Sequence, residues 1–480
     1  MRLRLSLPAA HLLVAVGACL LAVMIGVVSG VDPAYGVLAA VGIGFVVVVI
    51  GDLAAGFAAM VLFAYMETLS TLQGLSLAKI AGIVIAGSWL AVMTSNRRDF
   101  PNPLTERPGL MYLLLLFIGW TAISIAWSPE RGEAVSSVIR YALNVLLIPI
   151  GYTAVRSPND VVRLFAVLVV GAGIAAVSGI VDAPAADMYD IARASGTAGD
   201  PNELAAGLIV GFWVAAAITV NPHIDSRGRV GALIVAGLCL LSITLSLSRG
   251  GLLGLAVAAF ATMFVAGRWR APVVASVLGI AALATGAFVT LSSSGAQARL
   301  TESGSGSGRT DLWTIALRMI DAHPFRGIGT GQYLTSSVHY LIRPGAFQRG
   351  DLLLVAPKIA HNTYLGTVAE LGFIGGALGL AFVIACGGSA WLAIREFERQ
   401  GDERLEILAR GFLVGVIGYA FSLIFISENY KKFMWIVLAL GPILLSVARR
   451  AGREADEAAA SADGAPAPDE PHDRREVAAV

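Results

Sequence analysis

Apolar segments of about 20 residues, separated by short polar or basic connections, follow one another along most of the chain. A helix of about 20 apolar residues crosses the hydrocarbon core of a bilayer, so each segment predicts a membrane span. The predicted spans cover residues 9–29, 35–51, 53–67, 77–95, 109–126, 135–154, 161–181, 203–220, 230–247, 251–267, 272–292, 364–394, 410–427 and 433–448. This gives about 14 spans, with about 12 as the alternative, because 35–51 and 53–67 are short and joined by the single residue Asp52. The pattern predicts an all-α fold, a polytopic transmembrane helix bundle with one large extracytoplasmic loop containing an amphipathic helix.

Composition supports a membrane protein and adds little else. Hydrophobic residues make up 56% of the 480 positions and charged residues 14%, which excludes a soluble globular protein. The formal net charge is +1, so no bulk charge indicates a nucleic-acid partner. Cys19, Cys239 and Cys386 lie in apolar segments without CxxC spacing, which predicts neither a disulfide framework nor a metal site. The first apolar stretch is long and lacks a cleavage site followed by soluble sequence, so it favours a span over a signal peptide.

Basic residues at the span ends predict the orientation, because Lys and Arg near span ends stay on the cytoplasmic side. If every segment crosses, the same side receives Arg2, Arg4, Arg97, Arg98, Arg156, Arg227, Arg229, Arg268, Arg270, Arg395, Arg399, Arg404, Arg449, Arg450 and Arg453. Both termini are therefore predicted to be cytoplasmic. The outer side carries these cations against the rule: Arg193, Arg249, Arg309, Arg326, Arg343, Arg349, Lys358, Lys431 and Lys432. We expect some of them to have a function, and chance and loop solvation to explain the others.

The same segmentation predicts five parts of the chain. They are N-terminal transmembrane helices (1–108), central transmembrane helices (109–292), an extracytoplasmic loop (293–363), C-terminal transmembrane helices (364–450) and a disordered cytoplasmic tail (451–480). The tail is rich in Ala, Pro and acidic residues and lacks a helical apolar stripe, which is typical of disorder.

An arginine interrupts the apolar run near residue 250, in the segment SLSRGG. An arginine facing lipid costs several kcal/mol, so Arg249 predicts a bound anion. A second arginine, Arg309, stands just before a helical pattern formed by Leu312, Ile315, Ala316, Met319 and Ile320. This amphipathic helix would lie on the membrane surface or against the bundle. An arginine beside a helix N-terminus would make a phosphate site, and a solvated loop arginine is the alternative.

The long outer loop ends at a histidine. The segment GIGTGQ at 327–332 lacks the spacing of a Walker loop and favours a tight turn over a phosphate cradle. His361 lies at the mouth of the next span, where a neutral imidazole could take a proton from a hydroxyl near pH 7. A purely structural histidine is the alternative. Asn362 and Thr363 are natural helix caps, and Glu370, about two turns inside the membrane, is expected to be paired or hydrogen-bonded or to tune the site.

Several segments, taken in order, resemble the O-antigen ligase and O-antigen polymerase superfamily of polytopic membrane enzymes. They are SRGG at 248–251, GRTDLWTIALRMIDAHPFRGIGTGQY at 308–333 and HNTYLGTVAELGFIGG at 361–376, with AWSPERGEA from 126 and RASGTAGDPNELA from 193 as more variable landmarks. The resemblance spans roughly residues 110–445.

The resemblance implies a glycosyltransferase of the bacterial inner membrane with an extracytoplasmic active site. Such an enzyme transfers a glycan from an undecaprenyl-diphosphate carrier to an acceptor hydroxyl on a glycan or lipid. It implies that Arg249 and Arg309 bind the lipid diphosphate and that His361 activates or orients the acceptor hydroxyl. Its segments also supply the candidate substrate-binding residues Arg193, Asn202, Ser248, Asn362 and Tyr364. Asp200 and Asn202 would cap the following span or bind sugar hydroxyls, with capping favoured.

The predicted chemistry needs no cofactor. Two guanidiniums can hold diphosphate oxygens and stabilise the charge that develops as the sugar C1–O bond breaks. No cage of carboxylates is evident in the sequence, so we expect transfer without a metal. Expected partners are the lipid-linked glycan donor, the acceptor and membrane lipids. A polysaccharide polymerase shares the same landmarks, and a transporter or flippase of an anionic lipid-linked glycan is a further alternative, although the sequence shows no internal repeat.

Overall fold

The computed structural model of the chain describes residues 33–66, 70–72, 75–95, 100–182, 193–271, 308–341 and 358–463, with isolated positions within 19–30 and 273–286. The predicted spans at 9–29 and 272–292 lie mostly outside the described residues, and so do Arg343 and Arg349.

The described residues form α-helices almost throughout. The first eight are α1 (Pro33–Gly51), α2 (Leu53–Ala64), α3 (Leu77–Ser95), α4 (Pro103–Glu106), α5 (Pro108–Ile123), α6 (Arg131–Val145), α7 (Leu147–Ala154) and α8 (Pro158–Asp182). The others are α9 (Pro201–Val220), α10 (Ser226–Leu245), α11 (Arg249–Val265), α12 (Arg309–Ala322), α13 (Tyr333–Leu341), α14 (Thr363–Gln400), α15 (Glu403–Ser422) and α16 (Lys432–Asp463). A small hairpin pairs β1 (Ser70–Leu72) with β2 (Leu75–Ser76), and short 3₁₀ turns lie at Ser124–Trp127, Gly196–Ala198 and Gly267–Trp269.

Within the described ranges, 8 helical segments are long and apolar enough to cross a membrane. They are Pro108–Trp127, Arg131–Ala154, Pro158–Asp182, Pro201–Val220, Ser226–Leu245, Thr363–Gln400, Glu403–Ser422 and Lys432–Ala458. Shorter apolar helices cover Leu53–Ala64, Ala81–Thr94 and Arg249–Val265. The predicted fold class, an all-α polytopic helix bundle, is confirmed.

Local chemistry explains two helix boundaries inside apolar sequence. The Asp52 carboxylate accepts hydrogen bonds from the backbone N–H groups of Ala54 and Ala55 and caps α2, so this residue separates two helices. The predicted span 135–154 is divided between α6 and α7. Pro149, in the first turn of α7, lacks the N–H that would bond the Val145 carbonyl and continue α6.

Helices α9, α15 and α16 form the centre of the bundle. In their most apolar windows 78%, 78% and 89% of residues are buried, against 28% to 50% for the other candidate spans. Helix α15 packs on α9 and α11, and α16 packs on α14. Small residues allow this close packing: a Cβ on Gly415 of α15 would lie 3.0 Å from the Val210 Cα of α9.

The predicted amphipathic helix of the long loop is α12. Its predicted apolar side chains, Leu312, Ile315, Ala316, Met319 and Ile320, are all buried. They pack with α13 and α14 in a core separate from the main one. The sequence allowed α12 to lie on the membrane surface or against the bundle. These contacts show that it lies against the bundle.

The last helix is longer than predicted. Helix α16 continues to Asp463, so residues 451–463, predicted as the start of a disordered tail, are helical and the prediction is wrong there. This stretch is rich in Ala, the strongest helix former. It also extends an existing span, so it needs no costly nucleation and no apolar stripe of its own.

Candidate functional site

Three helices begin close together, each capped by a side chain that the sequence had singled out. The Asp200 carboxylate accepts from the N–H groups of Asn202 and Glu203 and caps α9. The Ser248 hydroxyl accepts from Gly251 N and caps α11, at 3.1 Å. Asn362 accepts from Leu365 N at 2.9 Å and caps α14. The caps predicted at Asp200 and Asn362 are confirmed, and the positive dipole ends of these helices add to the field of the arginines described next.

Arg193, Asn202 and Ser248 contact one another. The Arg193 guanidinium donates to the Asn202 side-chain oxygen at 3.2 Å and to the Ser246 carbonyl at 2.8 Å. The Ser248 hydroxyl donates to the same Asn202 oxygen at 2.9 Å. The three predicted binding residues thus join the starts of α9 and α11 and hold the segment that leads into Arg249.

Arg249 follows a strained backbone position. It is the exposed first residue of α11, and Leu247, two residues earlier, has φ 48°. The other positive-φ residue besides glycine in the described ranges is His361, with φ 47°. Such conformations cost about 1–3 kcal/mol and cluster at functional sites. One strained position is thus the predicted catalytic residue His361, and the other lies two residues before Arg249.

Phe425 joins the starts of α11 and α12. A Cβ on Gly250 would lie 2.7 Å from the Phe425 Cβ, so glycine is required for this approach. The Arg309 guanidinium carbon lies 6.0 Å from the centre of the Phe425 ring. The centre of the Trp313 ring lies 6.4 Å from the same ring centre. Phe425 thus contacts Arg309 and the residue next to Arg249. No sequence signal pointed to Phe425, which stands in an apolar run.

His361 lies within electrostatic reach of this group. Burial, and next the positive charge of Arg309, hold the pKa of His361 below its usual value, with a smaller contribution from Lys358. The negative charge of Asp200 raises the same pKa by a smaller amount. The imidazole is therefore neutral at pH 7, the form that can accept a proton.

The residues after His361 fasten α14 to the connection between α15 and α16. The Thr363 hydroxyl donates to the Ile426 carbonyl at 2.7 Å and accepts from Glu428 N at 3.0 Å. The hydroxyl of Tyr364, a predicted binding residue, donates to the Ala420 carbonyl at 2.8 Å. These bonds fix the position of His361 relative to Phe425.

The glycine-rich segment at 327–332 forms a structured turn that packs on α14. This confirms the tight turn that the sequence favoured over a phosphate cradle. Gly327, Gly329 and Gly331 have φ of 69°, 107° and 70°. Ile328 N donates to the Ala369 carbonyl at 3.1 Å, and Gly329 N donates to the Glu370 carbonyl at 2.8 Å. We call residues 324–333 the glycine clasp.

The clasp fits a break in α14 at Gly372, where φ is 69° and ψ −175°. Phe373 N donates to the Pro324 carbonyl at 2.7 Å, and the Trp120 indole donates to the Leu371 carbonyl at 2.8 Å. A broken helix at membrane depth is tolerated where neighbouring groups satisfy its backbone. Gly375 and Gly379, which follow the break, face the aromatic side chains of α5.

Glu370 is buried and accepts three hydrogen bonds. Its carboxylate accepts from Gly331 N and Tyr333 N, both at 3.0 Å, and from the Tyr430 hydroxyl at 2.9 Å. The Tyr333 hydroxyl donates to the Leu312 carbonyl of α12 at 2.6 Å. The expected hydrogen bonding of Glu370 is confirmed, and it links α14, which follows His361, to α12, which begins with Arg309.

Two of the cations that the sequence predicts on the outer side have structural partners. Lys431 forms an ion pair with Glu203 at 3.1 Å, and the Arg326 guanidinium lies 6.0 Å from the Trp127 ring centre. Among the described residues, no group of three or more His, Cys, Asp or Glu side chains has the arrangement of metal ligands.

An apolar cavity of about 520 Å³ lies beside the start of α14. Thr363, Tyr364 and Thr367 line its end near His361, and Tyr141, Phe382 and Trp435 line its body. A cavity of this size is in the range of sites for organic ligands, and its lining suits a hydrocarbon.

These features define a polytopic membrane protein in which Arg249, Arg309 and a neutral His361 lie at or just before the starts of three helices. Residues 234–380 match the family model described as O-Antigen ligase, a stretch that contains Arg249, Arg309 and His361. The match confirms the family resemblance of the sequence and supports membership of the O-antigen ligase superfamily, whose members include ligases and polymerases. No curated protein matches the chain.

Proposed function

We propose that this protein transfers a glycan from an undecaprenyl-diphosphate carrier to an acceptor hydroxyl on the extracytoplasmic face of the bacterial inner membrane. The observation that supports the proposal is that Arg309 acts on the pKa of His361 and shares Phe425 with Gly250, the neighbour of Arg249, within one family-matched region. Two guanidiniums suit a diphosphate, and a neutral imidazole beside them suits a hydroxyl that must lose a proton.

In the proposed reaction, Arg249 and Arg309 bind the diphosphate oxygens. His361 takes the proton of the acceptor hydroxyl while the acceptor oxygen forms a bond to the sugar C1. The C1–O bond to the carrier breaks, and the electron pair leaves with undecaprenyl diphosphate, whose growing charge the guanidiniums stabilise. The positive helix ends at Ser248 and Gly308 act in the same direction. This scheme uses no metal ion.

The apolar cavity beside Tyr364 supports a lipid-bearing substrate, because a polyprenyl or acyl chain needs apolar surface next to the polar site. A ligase passes the glycan to a lipid acceptor, and a polymerase passes it to another glycan. Incubation of the purified protein with donor and each acceptor class, with products identified by mass spectrometry, tests both. Movement of the donor across the membrane without a new glycosidic bond would contradict the proposal and indicate a flippase.

Measurements of donor affinity and single-turnover rate in nanodiscs can separate the role of His361 from that of Arg309. We expect His361→Ala to lower the rate about 10²- to 10⁴-fold and to leave donor affinity unchanged. Arg309→Ala should weaken both, because its contacts exist in the ground state and strengthen in the transition state. His339→Ala, a histidine of α13, is the matched control and should behave as wild type.

Loss of donor binding in His361→Ala, with a normal rate at saturating donor, would make the histidine a phosphate or sugar ligand instead of a base. Chelators should leave turnover intact, and a loss that magnesium restores would refute the metal-free scheme.

A further inference from the structure

The end of the bundle opposite His361 carries a second concentration of arginine. Helices α14 and α16 both run from the His361 end to this end, where the Gln400 side chain donates to the Ala448 carbonyl at 2.8 Å. Residues 432 and 450 of α16 are about 27 Å apart along the helix axis, about the thickness of a hydrocarbon core. The arginines there are therefore remote from the proposed transfer site.

Two groups of arginines at this end differ in their partners. Those of the first group form ion pairs: Arg268 with Glu403 and Glu406, Arg395 with Glu398, Arg399 with Glu396, and Arg410 with Glu406 and Glu398. The second group, which we call the arginine cluster, consists of Arg107, Arg156, Arg449, Arg450 and Arg453. Within the part of the chain that the structure describes, no member of the cluster forms an ion pair.

Neutral partners hold the cluster in place instead. The Arg450 guanidinium donates to the Ser446 hydroxyl at 2.7 Å and to the Val155 carbonyl at 3.3 Å. Arg107 donates to the Ser389 hydroxyl at 2.8 Å, and the Arg156 guanidinium carbon lies 4.5 Å from the Phe100 ring centre. These contacts orient three guanidiniums without neutralising their charge.

The cluster is a local excess of positive charge. Burial, and next the positive charge of Arg449, lower the pKa of Arg107. Glu106, the facing carboxylate, accepts from the Tyr152 hydroxyl at 2.8 Å and lies within reach of the Ser446 hydroxyl. Glu396 faces Arg449 but is already paired with Arg399. Arg107 and Arg449 thus repel each other, and an anion bound between them would relieve the repulsion.

The surroundings of the cluster favour a lipid anion. Leu104, next to this site on α4, is 55% exposed, and Tyr112, Leu115 and Leu116 on α5 are each about 60% exposed. A lipid bound by its phosphate at Arg107 would have this apolar surface beside its acyl chains. A soluble phosphate would make no use of it.

We propose that the arginine cluster binds the phosphate group of an anionic phospholipid, with the acyl chains along the exposed face of α5. Guanidiniums held by neutral acceptors offer the remaining N–H groups to phosphate oxygens, and basic pockets between spans recognise such headgroups. In the orientation predicted above, the lipid belongs to the cytoplasmic leaflet.

Phosphatidylglycerol is the probe. The protein is placed in phosphatidylcholine nanodiscs with graded amounts of phosphatidylglycerol, and retained lipid is counted by native mass spectrometry. We expect selective retention by wild type and a fall of about 20- to 30-fold in apparent affinity for Arg107→Gln/Arg450→Gln, since each basic residue contributes about fivefold. The ion-paired Arg395→Gln and Arg399→Gln, at the same end, should stay within about twofold of wild type.

A further variant and a competition experiment also test the proposal. If the double variant does not fold, Arg156→Gln, on an exposed side chain, should still lose about fivefold. Equal retention of phosphatidylglycerol and phosphatidylcholine, or wild-type retention by the cluster variants, would overturn the proposal. Displacement of the lipid by inorganic phosphate at similar concentration would indicate a soluble-phosphate site instead. Because the cluster is far from His361, glycan transfer in these variants reports separately on the proposed function.

Discussion

His361 combines a strained backbone with an electrostatic environment that keeps its side chain neutral. A φ of 47° is unfavourable for a residue with a Cβ, and the bonds of Asn362 and Thr363 hold it in that conformation. The neighbouring positive charge of Arg309 penalises the imidazolium. In the proposed reaction, the base for the hydroxyl and a ligand of the diphosphate would therefore lie close together.

The pKa of His361 should respond to its neighbours with predictable sign. The folded protein holds this pKa below the usual 6.5, so the transfer rate should be constant near neutral pH and fall as the pH drops through the lowered value. Arg309→Gln removes the positive charge and should move the midpoint to higher pH. Asp200→Asn removes a negative charge, retains a capping side chain, and should move it to lower pH.

This titration can be measured without activity, by NMR of isotopically labelled histidine, with His361→Gln to assign the signal. Lys358→Gln should shift the midpoint in the same direction as Arg309→Gln, but less. Equal midpoints in the Arg309 and Asp200 variants would show that neither charge acts on His361.

At the scale of elements, the glycine clasp and the break in α14 fit each other closely. A Cβ on Gly372 would overlap the Phe325 carbonyl, and a Cβ on Gly327 would overlap the Glu370 carbonyl. Both residues also have positive φ, which L side chains rarely adopt. Two backbones can therefore meet here because neither carries a side chain.

Alanine at either position should unfold the clasp. We expect Gly372→Ala and Gly327→Ala each to lower the free energy of unfolding by about 3 kcal/mol or more, from overlap and backbone strain together. The control is Gly401→Ala, which has φ 73° but open space around its Cβ, and which should cost about 1–2 kcal/mol. Thermal unfolding in detergent measures the difference, and equal losses in all three variants would mean that the contact is unimportant.

Glu370→Gln tests the link between α14 and α12. The carboxylate accepts from three donors, and a glutamine must turn its NH₂ group toward at least one of them. We expect a loss of about 1–3 kcal/mol in stability and slower transfer, because Tyr333 would no longer hold α12 and Arg309 firmly. The exposed Glu398→Gln serves as control. Wild-type transfer in Glu370→Gln would exclude a positioning role for this carboxylate.

At the scale of the whole molecule, the central prediction concerns orientation. His361 and Arg450 lie at opposite ends of the bundle, and arginine-rich connections should face the cytoplasm. Reporter fusions at Arg227 and Arg395 should read cytoplasmic, and fusions within 293–360 should read external. A cytoplasmic reading for the long loop would place the arginines and His361 in the wrong compartment and would contradict the proposed reaction.

The sequence by itself determined the features that depend on local pattern. Apolar length and the cost of unpaired backbone groups in lipid require spanning helices, so the fold class follows from composition and segment length. Helical spacing predicted α12 and its buried face, and polar residues before apolar runs predicted the caps at Asp200 and Asn362. These relations connect residues three or four positions apart, which any stretch of sequence displays directly.

The tertiary structure decided what depends on residues distant in the chain. Gly327 meets Gly372, Glu370 meets Tyr430, and Phe425 joins Gly250 to Arg309, and no local pattern encodes these partners. The contacts exist because packing brings separate helix ends together, and their free energies depend on burial and distance that the linear order of residues does not contain. Arg249, Arg309 and His361 could thus be named from the sequence as separate candidates, whereas their meeting is a property of the packed bundle.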